Sequence, residues 1–147
     1  MAGLDLSTRA LAGSLGEAAL VAALAAALLA LDRSVQRRGL AATARDLDRL
    51  HQHARLLAVL PPRSTAEVSA LLGRALARLP GGGYCTAHAL LGSRWLRRCG
   101  IEDARIQLGA RRVGHRHEAH AWVVDATGAP LLSSDPELHT WTPLGQP

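Results

Sequence analysis

A chain of 147 residues suits one domain with a modest core, and an apolar content of 48% excludes wholesale disorder. There is no Phe, and only three Trp and one Tyr, so the core must be built from Leu, Ala and Val. All 17 basic residues are Arg and the net charge is +5, but no run of five like charges occurs, so the arginines read as solvated helix faces and not as a polyanion-binding stripe.

In chain order, the first half reads as helical. Ser14 and Glu17 have capping-box spacing ahead of the apolar run Ala18 to Leu31. That run is short for a membrane span, which needs about 20 residues. It follows Asp5 and Glu17 and lacks a small-residue cleavage site, so it is also a poor signal peptide. It reads as a buried or groove-forming helix, with membrane contact not expected. Gly39, after Arg37 and Arg38, reads as its stop, and Thr43 as the cap of a second helix with Leu47, Leu50, Ala54, Leu57 and Leu60 on one face. Pro61-Pro62 ends that helix, and Ser64 or Thr65 starts a third with Val68, Leu71, Leu72, Ala75, Leu76 and Leu79 as its apolar stripe. His51 and His53, two apart, would point in different directions on a helix and read as surface residues.

Pro80-Gly81-Gly82-Gly83 is the sharpest break in the sequence. A helix is expected from Tyr84 to Arg98, stopped by Gly100, with Ala89, Leu90, Trp95 and Leu96 inward. The period then changes. Ala104–Ala110 alternates as a strand, Arg111–Glu118 is polar and reads as a hairpin turn, Ala119–Asp125 is a second strand, and Pro130–Ser134 a third. Helices followed by antiparallel strands give an α+β fold in a single domain spanning residues 1–147. Its helical half takes residues 1–80, and residues 81–147 hold a Cys-bearing helix plus antiparallel strands.

The chemistry concentrates in the second half. Two cysteines are too few for a disulfide framework, so a reducing cytoplasm is the expected location. At opposite ends of one helix Cys85 and Cys99 would be about 21 Å apart, and a disulfide needs Cα atoms within about 7 Å. Cys99 reads as a buried small hydrophobe. Cys85 taken alone would read the same way, but it sits at a helix N-terminus behind three glycines, where a thiol pKa is lowered and free N–H groups can stabilise an oxyanion. His120 lies in the strand AHAWVV. A strand histidine against a helix-N-terminal cysteine is the thiolate–imidazolium arrangement of nucleophilic catalysis. Asp135, across a turn, is the preferred third member; Asp125, in the same strand, would face the opposite side of the sheet. No cofactor and no metal are called for.

The segment YCTAHALLGSRWLRRCGI, then EAHAWVVDATGAPLLSSDPELHTWTPL, resembles the leader peptidase of lasso peptide biosynthesis, a transglutaminase-like, broadly papain-like cysteine hydrolase. The likeness covers about Leu76 to Leu144, and the ordered set of Cys helix, RRCGI, HAWV and DPEL…TPL is its most specific feature. The resemblance implies a Cys-bearing helix packed on a small antiparallel sheet, with Cys85 as nucleophile and His120 as general base. Aligned on Pro136, the acid position of that family falls at Ser134, one residue from Asp135. The resemblance further implies removal of the leader from a ribosomally made precursor peptide. A separate winged-helix recognition protein would act as partner, and an ATP-dependent macrolactam cyclase would act downstream. The Ala18–Leu31 helix is then a candidate docking surface.

Three rival readings are weaker. His115, His117, Glu118 and His120 could suggest a metal, but the zincin motif needs histidines four apart on a helix, and here the spacing is three in a turn and strand. Nucleic-acid binding lacks interleaved aromatics and a reading motif. A transglutaminase-like amide hydrolase or acyl transferase on another substrate would use the same acyl-enzyme.

Overall fold

The computed structural model describes residues 5–49 and 63–145. Within them the chain forms four α-helices and a four-stranded antiparallel sheet, the α+β arrangement expected: α1 (Asp5–Arg38), α2 (Leu40–Arg49), α3 (Thr65–Leu76), α4 (Cys85–Arg98), β1 (Arg105–Val113), β2 (Arg116–Val124), β3 (Pro130–Leu132) and β4 (Thr142–Pro143). A short 3-10 turn, Leu138–Thr140, precedes β4, and the strand order is β3-β2-β1-β4.

α1 is longer than its capping-box spacing predicts. It starts at Asp5 and runs through Ser14, because the Leu, Ala and Arg residues upstream are themselves good helix formers and leave no reason to begin at a cap. Val21, Leu24, Leu28 and Leu31 form its buried face. By length and composition Gly16–Arg38 could cross a membrane; here some of it is covered by α3 and α4. Gly39 stops α1 as expected, in a left-handed conformation at φ +83, its N–H bonded to Val35 O. α2 then starts at once, and Thr43 is not its cap. The Thr43 hydroxyl lies one turn in, donating back to Gly39 O at 2.9 Å. Leu47 is buried, while Leu50, His51, His53, Ala54, Leu57, Leu60 and Pro61-Pro62 lie outside the described residues. α3 begins at a full capping box between Ser64 and Glu67 and buries Val68, Leu71, Leu72 and Ala75.

α4 is the central helix. It packs on α1 and α3 to one side and on β1 and β2 to the other, and Ala87, Ala89, Leu90, Trp95 and Leu96 are buried along it. Gly92 lets the sheet approach closely: a Cβ there would stand 2.7 Å from Leu132 Cδ1 and 3.8 Å from Val123 Cγ2.

The hairpin departs from the sequence reading. Arg111–Glu118 is not a long turn. β1 continues to Val113 and β2 begins at Arg116, leaving Gly114-His115 as a two-residue turn with Gly114 at φ +60, the II′ pattern. The hairpin tip stands in solvent on both faces, so its side chains, the exposed Val113 apart, are polar and show no alternation. Arg111 pairs with Glu118 across the two strands at 2.9 Å.

On the face of the sheet away from α4, Trp122 and Trp141 form a second small cluster with Val124. Gly109 makes room for it. A Cβ at Gly109 would lie 2.5 Å from Trp122 Cη2 and 3.1 Å from Thr142 O. Gly109→Ala is therefore expected to destabilise the fold by about 1–3 kcal/mol, the usual cost of overpacking. Urea unfolding checks this; an unchanged midpoint would show that the Trp122 ring is free to move.

Candidate active site

Cys85 is the first residue of α4. The preceding loop carries Gly81 at φ +78 and Gly83 at φ +99, conformations that favour glycine, and Tyr84 Oη closes it by donating to Pro80 O at 2.9 Å. Tyr84 at the N-cap offers no side-chain hydrogen bond and the first turn holds no acid. The helix start is thus left without a side-chain cap, and Tyr84 and Cys85 line a cleft of about 610 Å³ together with His120, Glu118, Ser134 and Trp141.

The thiol reaches the sheet where β2 has an open edge. β3 pairs with β2 only at Val123 and Val124, so Ala121, two residues earlier, has no neighbour on that side. Its N–H lies close enough to the Cys85 sulfur to favour the thiolate. Burial alone would push the Cys85 thiol up. The side-chain hydrogen bond with His120, that of Ala121 N–H and the charge of His120 together outweigh burial, and the thiol lies below its ordinary range.

His120 is buried and enclosed by aromatic rings. Trp122, on the same face of β2, stacks at 5.9 Å between centroids and Trp141 at 5.0 Å. The Arg111 guanidinium caps the stack, 4.3 Å from the Trp141 ring centroid. The hydrogen-bond partner of His120 Nε2 is Ser133 Oγ at 3.2 Å.

Asp135 lies near but is held otherwise. Its Oδ1 accepts from Glu137 N at 2.8 Å and its Oδ2 from Trp141 Nε1 at 2.9 Å. The Glu137 amide first, then the Trp141 indole and the charges of His120 and Arg111, hold its carboxyl below the usual range. Asp125 is elsewhere. It follows β2 and caps the next turn, accepting from Thr127 N at 2.8 Å and Ala129 N at 3.0 Å, with its own carboxyl lowered chiefly by the Thr127 hydroxyl. Ser134, one residue from Asp135, lines the cleft.

His115 and His117 are exposed on the hairpin tip and Glu118 is paired with Arg111, and among the described residues no three His, Cys, Asp or Glu side chains gather as metal ligands. Both cysteines are free, and Cys99 ends α4 with its sulfur accepting from Arg63 N at 3.4 Å.

The sequence carries no signal for Ser133, for Trp141 over the imidazole, or for His88. The last lies one turn into α4 behind Cys85, 2% exposed, with Nδ1 buried and unpartnered. Burial first, then the nearby charge of His120, lowers its pKa from 6.5 to about 4. The unfolded chain takes up a proton at His88 near pH 6.5 while the folded chain does not until about 4. The stability His88 contributes is thus complete above about pH 6.5 and is lost as the pH falls toward 4. Urea unfolding should find the protein about 2 kcal/mol less stable at about pH 5 than at about pH 7.5 from this group. His88→Leu should flatten that stretch of the slope; an unaltered slope would assign it to other groups.

A family model described as the transglutaminase-like superfamily matches residues 4–146. No curated protein and no solved structure matches the chain.

Proposed function

The chain belongs to the transglutaminase-like superfamily, a group that fits a cysteine peptidase or acyltransferase, and from that premise we propose that it is a cysteine peptidase that removes the leader of a ribosomally made lasso precursor peptide. The observation that carries the proposal is the Cys85 thiol, placed at an uncapped helix start in the same cleft as His120, whose proximity and charge help lower its pKa.

In the proposed reaction Cys85 is the nucleophile and His120 the general base. The thiol proton passes to His120 and the sulfur attacks the scissile carbonyl. Amides at the start of α4 receive the developing oxyanion. As the C–N bond breaks, His120 returns its proton to the leaving amine, which becomes the free N-terminus of the core peptide. Water then hydrolyses the thioester, with His120 again as base. The indole faces beside His120 suit the imidazolium formed on the way. Asp135 is proposed as the acid of the site, acting on that charge at short range.

The substrate assignment rests on the likeness of YCTAHALLGSRWLRRCGI, HAWV and DPEL…TPL to lasso leader peptidases. It carries with it a separate winged-helix recognition protein, a downstream macrolactam cyclase and a cytoplasmic setting. A cleft walled by glycines suits an extended peptide, since backbone can approach the thiol closely.

The test is incubation with a candidate precursor and its recognition protein. One cut at the leader–core junction is expected, and it should vanish in Cys85→Ala; cleavage surviving in that variant would sink the peptidase reading. Product bearing an added amine instead of a free acid would make the protein a transferase. Asp135→Ala should slow cleavage by tenfold or more, on the order of 1.4 kcal/mol, while Asp125→Ala leaves the rate within about twofold. The reverse ranking would move the acid to Asp125.

A further inference from the structure

We infer that Ser133 is a positioning residue that holds His120 in the tautomer able to accept the Cys85 proton. The inference rests on the Cys85–His120 reading above.

Counting protons at the serine decides the tautomer. A hydroxyl has one proton to give and two lone pairs to accept with. Ser133 Oγ donates its proton to Asp135 O at 2.9 Å and accepts from Asp135 N at 2.9 Å. What remains is one lone pair, and His120 Nε2 stands 3.2 Å away. A lone pair there attracts Nε2 only if that nitrogen carries the ring proton. The neutral imidazole then has its bare lone pair on Nδ1, the nitrogen not engaged by Ser133 and so the one free to take the Cys85 proton. When the thiol ionises, its S–H bond breaks, the electron pair stays on sulfur and the proton forms the Nδ1–H bond. The opposite tautomer would set two lone pairs against each other, or force the Ser133 hydroxyl to turn and abandon the Asp135 carbonyl.

The backbone makes this arrangement stiff. Both contacts that orient the hydroxyl come from the peptide groups of one residue, two positions on, in a hydroxyl-capped turn. That residue is fixed in turn through its carboxylate, to Glu137 N and Trp141 Nε1. The titratable and charged groups around His120 are Cys85 and His88 from α4, Glu118 on its own strand at the cleft wall, Asp135 from the terminal segment and, beyond Trp141, Arg111 from β1, which pairs with Glu118. The group at Nε2 itself is neutral, so the imidazole is oriented there by a hydroxyl and not by a carboxylate.

The test is alkylation of Cys85 by iodoacetamide from about pH 5 to 9, read by mass spectrometry at that peptide, on the full chain. The wild type should react at low pH, and His120→Ala should lose that reactivity. Ser133→Ala should fall between them, about three- to tenfold slower than wild type near pH 6, from the loss of one oriented hydrogen bond. Ser133→Thr, which keeps the hydroxyl, should restore the rate. A folded Ser133→Ala with the wild-type profile overturns the inference and leaves the Cys–His reading standing. Wild type and His120→Ala with the same profile overturn both. Should Ser133→Ala fail to fold, the nitrogen-15 shifts of neutral His120 in Cys85→Ala decide. A proton on Nε2 is the expected result, and a proton on Nδ1 overturns the proposal.

Discussion

The meeting of Cys85 and His120 depends on how α4 lies against an incomplete edge of the sheet. The two residues belong to different layers, and His120 points to the face of β2 opposite the helix core, with Trp122. They can meet only around the rim of a strand. β3 stops pairing at Val123, and the next outward amide, Ala121 N–H, is left to the sulfur. That amide favours the thiolate, as the charge of His120 does. Small residues set the distance. Ala89 and Ala121 are buried at the seam, and at Gly92 a side chain would force the Leu132 methyl aside.

Much of this layout is legible in the sequence, because it is written in residues with strong local preferences. Glycines at 81, 83 and 100 bracket α4, and their positive φ values show why nothing else serves there. Ser64 with Glu67 marks the start of α3. The departures share a physical cause. Thr43 has the chemistry of a cap but lies one turn inside α2, because Gly39 already supplies the break. The hairpin tip reads as a turn because a strand wet on both faces has no hydrophobic alternation to display. At the candidate site the cysteine and histidine stand out by type and place. Ser133 does not, since its role is defined by three hydrogen bonds whose other ends are two peptide groups and a ring nitrogen thirteen residues away.

The arginine content also finds a structural use. Arg94 donates to Ala44 O at 3.3 Å, Arg97 to Ala104 O at 2.7 Å, and Arg105 to Ala126 O at 3.1 Å. Each ties a carbonyl at a helix or loop to a neighbouring element, a task the guanidinium's several donors suit. Arg111 does the same for the site. It bonds Glu118 on β2 and Thr140 Oγ1 at 3.1 Å and lies over Trp141. It thereby fixes the terminal segment, whose β4 pairs with Gly109 and Ala110 and whose Leu144 N donates to Leu108 O at 2.8 Å. Arg111 thus joins the Leu144 amide and the Trp141 indole in holding the ring that covers His120.

In the proposed reaction, an acid and a hydroxyl of the same segment share one task. The Asp135 carboxylate lies close enough to His120 for their charges to interact, yet its lone pairs point to Glu137 N and Trp141 Nε1. A charge stabilises an imidazolium from any direction and weakens with distance and solvent. A hydrogen bond does the reverse: it is weaker, but it distinguishes one nitrogen from the other. Orientation of the neutral ring is a question of direction, which suits Ser133. Stabilisation of the charged ring is a question of potential, which suits Asp135. Because the Ser133 hydroxyl is held by the peptide of Asp135 itself, one residue governs both contributions, through its backbone in the first case and its side chain in the second.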